Sequence, residues 1–349
     1  MNQHGALYSE IIQKVDELGI LHQHLFDLSG WSQDQFITLF KMADLMDELK
    51  NSGCQLMLGR VIYNLFFQPS TRTRTSYEYA MKQLGGQVIN EVDPLRHSAV
   101  TRGESLKDTL RVVSEFANLI VLRHGNENEV LEAVELLGSR VSPIISGGFG
   151  HCYHPTQALA DIYTVWRFIN KPFKDIVVLL TSPDLSRGYR SGHAFAIGMA
   201  KLGARIVYTG SAEHMIPSNV RETLIDLGAK FEEFTDLSRI ENLELLSRSD
   251  LVYLPITSLA TDDVERELFL KRIQQHFISL ADLESIKKST GKVIGAMHPL
   301  PRNKNQFDYA IDNTEFELYF KTVKLSVPLR MALIAAVVGI PLSIRSQYS

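Results

Sequence analysis

Cysteine is nearly absent from this chain: Cys54 and Cys152 are two residues in 349, too few for a disulfide framework and in keeping with a reducing compartment. Long apolar runs are absent as well. The longest, Met331 to Leu342, falls short of the roughly 20 residues a membrane-spanning helix needs and contains Gly339 and Pro341. The opening MNQHGALYSE has neither a basic segment nor an apolar one, so no secretory signal is expected. Nor does charge of one sign dominate. The 36 Lys and Arg against 40 Asp and Glu leave a net −4, with no basic field to recruit nucleic acid or an anionic membrane. No repeat and no low-complexity linker occurs. The remaining balance, 45% hydrophobic and 22% charged, is that of a globular protein and excludes disorder and collagen. At about 150 residues per domain, the length suggests two domains. The expectation is a cytoplasmic α/β enzyme.

Short β-rich runs alternate with amphipathic stretches. VIYNLFF (61–67) precedes a segment in which Tyr77, Ala80, Met81 and Leu84 recur at helical spacing, stopped by Gly85-Gly86. Leu106, Leu110, Val113 and Ala117 form a second apolar face, followed by LIVL (119–122). A helix from about Pro155 carries Ala158, Leu159, Ile162, Tyr163 and Trp166, and proline favours a helix start. A second series then opens with IVVLLT (176–181) and continues through ARIVY (204–208), DLVYL (250–254) and KVIGAM (292–297). Such alternation predicts parallel strands joined by crossover helices. A final helix is expected at roughly 326–338, and periodicity does not assign it to either half.

Ligands of open α/β sheets gather where strands end and helices begin. Phe66-Phe67-Gln68-Pro69-Ser70-Thr71-Arg72-Thr73-Arg74 sits at such a junction. Its hydroxyls, its two guanidiniums and the N–H groups of a helix start would make a dense anion site. The plainer reading, a helix cap with solvated arginines, explains one hydroxyl and not the rest. Arg123-His124, His154-Pro155-Thr156-Gln157 and His298-Pro299-Leu300-Pro301-Arg302 occupy similar junctions. Each alone is weak, because a histidine at a strand end is more often a hydrogen-bonding residue than a catalyst.

Taken in order, FF-x-PSTRTR, RGES-x-x-DT, LRH, HPTQ-x-L-x-D and HPLPR resemble the aspartate/ornithine transcarbamoylases, from about Val61 to Arg330. HPLP rather than HCLP points to the aspartate branch. The resemblance implies two doubly wound parallel-sheet domains joined by interdomain helices, with the active site in the crevice between them. It implies a carbamoyl-phosphate-binding domain over 1–153, with the terminal helix 326–349 packing back on it, and an acceptor-binding domain over 154–325. The implied reaction is carbamoyl transfer from carbamoyl phosphate to L-aspartate, giving N-carbamoylaspartate for pyrimidine synthesis, with a different acceptor amine as the alternative. Ser70, Thr71, Arg72 and Thr73 would hold the phosphate. Thr73, Arg123 and His154 would polarise the carbonyl and stabilise the oxyanion. Gln157 and the backbone carbonyls of Pro299 and Leu300 would orient the carbamoyl amino group. Ser98 and Arg102 would reach into the site from a neighbouring subunit of a homotrimer, and Arg102 stands where the family usually has lysine. No side-chain nucleophile and no cofactor is implied.

The acceptor side departs from the family. Arg187, in DLSRGYRS, would take the α-carboxylate together with Arg102 and Leu300, although the segment is shortened before Ser186. After DLVYL the family continues with R-x-Q, which grips the acceptor's second carboxylate. Here Ile256, Thr257 and Ser258 stand instead. Arg272-Ile273-Gln274 lies too far downstream and reads as part of an amphipathic helix. Gln68 replaces a family glutamate, so a charge is lost along with its cationic counterpart. An unpaired buried carboxylate costs several kcal/mol. Either aspartate is held by other groups, or the acceptor lacks that carboxylate. A non-catalytic homologue is the alternative of a different class, opposed by the presence of Thr73, Arg123, His154 and Gln157.

Two other chemistries fit poorly. Gly147-Gly148-Phe149-Gly150 does not supply the G-x-G-x-x-G of a nicotinamide site. His151, Cys152 and His154 lack zinc-like spacing and a fourth ligand, so no metal is expected. His97 and His124 read as surface or hydrogen-bonding residues.

Overall fold

The computed structural model describes residues 3–97, 102–149, 154–186, 190–255, 263–302 and 307–348. It divides into two α/β units. The first comprises Met1–Thr156 and Val323–Ser349, the second Gln157–Thr322. The chain thus leaves the first unit within the helix Pro155–Phe168 and returns to it within the helix Tyr319–Val338.

In the first unit, β1 (Val61–Phe66), β2 (Gln87–Val92), β3 (Leu119–His124) and β4 (Ile144–Phe149) form a parallel sheet in the order β2-β1-β3-β4. The strands expected at 61–67 and 119–122 are β1 and β3. Between β1 and β2 runs the helix Thr71–Gln83, whose Tyr77, Ala80 and Met81 are wholly buried, as is Leu84 just beyond it. Gly85 ends this helix at φ +78°, where a Cβ would stand 2.7 Å from the carbonyl oxygen of Cys54, so only glycine turns the chain there. Leu106, Leu110, Val113 and Ala117 pack with Leu65, Ile120 and Leu122 in one apolar cluster.

The N-terminal helix Gln3–Leu18 joins the last helix, Leu342–Tyr348, through a two-pronged Arg345–Asp16 pair at 2.8 and 3.0 Å and the ring contact of Tyr8 with Tyr348 at 4.9 Å. The helix expected at 326–338 begins earlier, at Tyr319, and runs through Pro328. Its segment Leu329–Val338 is buried throughout, which accounts for its apolar sequence. Among the described residues no single helix is long and apolar enough to cross a membrane.

In the second unit, β5 (Val177–Thr181), β6 (Arg205–Gly210), β7 (Phe231–Thr235), β8 (Leu251–Tyr253) and β9 (Gly295–Met297) form a parallel sheet in the order β7-β6-β5-β8-β9. Leu179, Val207, Val252 and Ala296 contribute one residue from each of four strands to a core closed by Leu246, Leu283 and Phe307. The fold is therefore two parallel-sheet α/β domains linked by helices, the class the sequence implies.

Candidate active site

The strand order of the first sheet reverses between β1 and β3, and ligands of open parallel sheets collect beyond the carboxyl ends of strands at such a point. The chain leaving β1 enters the helix Thr71–Gln83 almost at once. Ser70 holds the N-cap position with extended backbone, yet its side chain makes no capping hydrogen bond. The Ser70 hydroxyl is therefore not engaged as a helix cap. Thr71 and Arg72 are exposed and Thr73 is buried. Partial desolvation lowers the pKa of the Arg72 guanidinium from the ordinary arginine value, a cost that a bound anion would offset.

Three of the candidate side chains meet at these strand ends. Thr73 Oγ1 lies 3.4 Å from His154 Nε2, and His154 Nδ1 lies 3.5 Å from Thr156 Oγ1. Arg123, paired with Phe66 across β1 and β3, donates from Nη1 to the carbonyl oxygen of Gly147 at 3.0 Å. Gly148 has φ +104°, and a Cβ built there would meet Arg123 Nη1 at 2.9 Å and His154 Cδ2 at 3.4 Å. The glycine therefore permits both the backbone turn and the approach of two cationic-type side chains to one point.

Behind them, Arg330 lies over the Tyr77 ring, 5.0 Å from its centroid. Burial pushes the Tyr77 hydroxyl up to about 12, against the opposing influence of nearby Arg330 and Thr156. This buried set links the floor of the helix Thr71–Gln83 to the residue beside His154. Elsewhere in the unit, His124 stacks edge-on to Phe67 at 4.7 Å and accepts from the Asn126 amide at 3.2 Å, a structural role. Half-buried Gln68 packs against Gly125, with Nε2 3.0 Å from where a Cβ would stand. Arg102 is exposed. Ser98, His151 and Cys152 lie outside the described residues.

In the second unit the order reverses between β5 and β8. The chain leaving β5 carries Arg187, and the chain leaving β8 carries Ile256, Thr257 and Ser258. All four lie outside the described residues. Gln157 is half-buried and donates from Nε2 to Asp161 Oδ1 at 2.9 Å, while the Tyr253 hydroxyl donates to Asp161 Oδ2 at 2.9 Å. Buried Pro299 and Leu300 follow β9. His298 Nδ1 accepts from the Leu300 amide at 2.8 Å, and Leu300 holds φ +56° ahead of a cis peptide to Pro301. A left-handed leucine is strained backbone of the kind that functional loops carry.

Arg302 is paired with Asp312, donates to the Tyr319 hydroxyl at 3.0 Å and lies 4.1 Å from the Tyr309 ring centroid. Asp312 raises its pKa further. Arg272 pairs with Glu213 at 3.2 Å and Ile273 is buried, both on the helix Asp263–His276. Arg272-Ile273-Gln274 is thus helical, as its sequence suggests.

Residues 23–167 match the family model described as the carbamoyl-phosphate-binding domain of aspartate/ornithine carbamoyltransferase. Over 326 residues the chain is 39% identical to the ureidoglycine carbamoyltransferase of Rubrobacter xylanophilus, covering 93% of this chain and 94% of that one. Over 318 residues it is 32% identical to the aspartate carbamoyltransferase catalytic subunit of Methanococcoides burtonii, covering 90% and 97%. The solved catalytic subunit of M. jannaschii aspartate transcarbamoylase is similar with a TM-score of 0.77 at 32% identity, over 89% of this chain and 96% of that one.

The chain belongs to the aspartate/ornithine carbamoyltransferase family. Members of the aspartate/ornithine carbamoyltransferases similar to it are transferases of carbamoyl groups, and this chain is an enzyme of that class.

For this carbamoyltransferase, the sequence named Thr73, Arg123 and His154, and the structure brings these three together. Gln157, Pro299 and Leu300 are placed in the second unit, and Gln157 is tied to Asp161. The sequence pointed to no functional role for Gly148, Tyr77, Arg330, Asp161 or Tyr253. The first four left a signal. Gly148 belongs to a glycine pair near the end of β4, Asp161 stands one helical turn after Gln157, and Tyr77 and Arg330 are polar groups in otherwise apolar helix faces. Tyr253 left none, because its partner is distant in the chain.

Proposed function

We propose that this enzyme transfers the carbamoyl group of carbamoyl phosphate to the amine of a small amino acid with an uncharged, hydrogen-bonding substituent, ureidoglycine being the acceptor that fits. The observation that carries this reading is the replacement of the acceptor's R-x-Q by Ile256, Thr257 and Ser258, accompanied by Gln68 in place of glutamate. A second carboxylate has lost its cation there, whereas a neutral ureido group needs none. The 39% identity to an enzyme named for ureidoglycine supports the same choice.

On this reading Ser70, Thr71, Arg72 and Thr73 bind the phosphate, assisted by the N-terminus of their helix. Thr73, Arg123 and His154 polarise the carbonyl and stabilise the oxyanion as the amine attacks. Gln157, with the carbonyls of Pro299 and Leu300, holds the carbamoyl amino group. Arg187, Arg102 and Leu300 hold the acceptor through its α-carboxylate. A C–N bond forms, the C–O bond to phosphate breaks, and the proton lost by the amine leaves with the phosphate. Positioning and charge suffice without a nucleophilic side chain. Ser98 and Arg102 come from a neighbouring copy, so the working form is a homotrimer in the cytoplasm.

Aspartate is the second reading, favoured by the many relatives named for it. Carbamoyl phosphate is supplied with freshly prepared ureidoglycine, L-aspartate or L-ornithine, and the carbamoylated product is identified by mass spectrometry. Transfer to ureidoglycine well above transfer to aspartate is expected. Preferred transfer to aspartate would reverse the order of the two readings, and no transfer to any amine would leave a non-catalytic homologue.

A further inference from the structure

Gln157 carries an amide with two chemically opposite ends, and its usefulness depends on which end faces the ligand. Its Nε2 lies 2.9 Å from Asp161 Oδ1. The carboxylate oxygen accepts from the NH2 end of the amide, so Oε1, which can only accept, is the end not engaged with Asp161. Asp161 is itself fixed. It is 1% exposed, and its second oxygen accepts from the Tyr253 hydroxyl at 2.9 Å. Tyr253 is wholly buried, with its ring stacked on Phe195 at 4.7 Å and an interplanar angle of 21°.

We propose that Asp161 is a positioning residue that sets the polarity of the Gln157 amide, so that the enzyme presents a hydrogen-bond acceptor to the amino group of its carbamoyl donor. This rests on the role proposed above for Gln157. A carbamoyl NH2 has only N–H bonds to offer, and an outward Oε1 pairs with one of them, whereas an outward NH2 would oppose it. The consequence is selectivity between isosteres. Acetyl phosphate has a methyl group where carbamoyl phosphate has NH2, and it leaves Oε1 unpaired. A site built to pair a donor rejects an analogue that lacks it. Asp161 therefore acts on donor choice without touching the donor, through a hydrogen bond that reaches from the helix Pro155–Phe168 to β8.

The test compares equilibrium binding of carbamoyl phosphate, acetyl phosphate and inorganic phosphate to the full-length protein by calorimetry, with thermal melting alongside. Asp161→Asn allows the amide either orientation. It is expected to lower the preference for carbamoyl over acetyl phosphate about tenfold, with inorganic phosphate binding unchanged. Gln157→Leu sets the floor of that preference. Tyr253→Phe keeps the Asp161–Gln157 bond, and it is expected to lower the melting temperature while retaining the preference. A wild-type protein that does not distinguish the two acyl phosphates would overturn the role of Gln157 and this inference with it. Discrimination intact in the wild type and undiminished in Asp161→Asn would overturn the inference alone. So would an equal loss in Tyr253→Phe and Asp161→Asn, which would make the effect one of general packing.

Discussion

Arg123 and Gly148 stand closer than a side chain on the second would allow: a Cβ at Gly148 would be 2.9 Å from Arg123 Nη1. The guanidinium occupies space that exists because residue 148 has no side chain, and the same position sits 3.4 Å from His154 Cδ2. Two groups assigned to the carbonyl oxygen of the donor thus depend on one glycine.

Gly148→Ala is expected to damage the site more than the fold. The displaced atom is the end of a flexible arginine, which yields, and the φ of +104° adds strain of about 1–3 kcal/mol. A modest fall in melting temperature with carbamoyl transfer reduced at least about a hundredfold is the expected pair of results. Full activity in a stable variant would remove Arg123 and His154 from the carbonyl.

Arg72→Ala separates binding from stability in the opposite way. Arg72 lies at the surface and is only partly desolvated, so its loss is expected to cost little stability. Phosphate affinity, measured by calorimetry, is expected to fall by about a hundredfold as a charge-assisted clamp disappears. Unchanged phosphate affinity would place the anion elsewhere.

Two buried histidines make stability fall in mild acid. His193 and His276 are both held down to about 4 from an ordinary 6.5, because burial disfavours the imidazolium. Asp236 only partly opposes this at His276. With the folded value below the unfolded one, the unfolded chain takes up the proton first as pH falls. Their contribution is complete above 6.5 and is lost progressively from 6.5 down to about 4. Each contributes on the order of 3 kcal/mol to the loss. His276 is 2.7 Å from the Thr181 hydroxyl, which in turn is 2.8 Å from that of Thr209. Denaturant titrations at stepped pH should show a shallower slope in this window for His276→Gln. An identical slope would mean that His276 does not titrate on unfolding.

Rebuilding the family's acceptor clamp should move specificity. Ile256→Arg combined with Ser258→Gln supplies a cation and an amide for a second carboxylate. The ratio of kcat/KM for aspartate over ureidoglycine is expected to rise at least about tenfold, since a single charge-assisted hydrogen bond contributes on the order of 1.5–3 kcal/mol. A ratio that does not move would show that these positions do not meet the acceptor's substituent.

The central strands and the helix Thr71–Gln83 were legible because their signals are local. Apolar runs such as LIVL have nowhere to go but a buried parallel sheet, and Tyr77, Ala80, Met81 and Leu84 recur at helical spacing. The edge strands β2 (QVINEV) and β7 (FEEFT) were not, because an edge strand facing water keeps polar residues and loses the apolar run. The strand β4 hides its period behind Gly147 and Gly148. The helix Tyr319–Val338 reads as starting at about 326, and the structure begins it seven residues earlier and runs it through Pro328, which removes a helical hydrogen bond. Dense burial from Leu329 to Val338 keeps the longer helix intact.

Residue types and their order were enough to indicate the fold class, and to single out Ser70–Arg74 as a candidate anion site and Ile256–Ser258 as a candidate acceptor segment. Those are properties of short stretches: periodicity, hydroxyls and guanidiniums at a strand end, a missing cation. The meeting of Arg123 and His154 over Gly148, and the orientation of the Gln157 amide, belong to folding. Both depend on contacts between groups far apart in the chain, as when Tyr253 reaches Asp161 across 92 positions. Packing of whole sheets brings such groups together, and no local pattern in the sequence records the distance at which they meet.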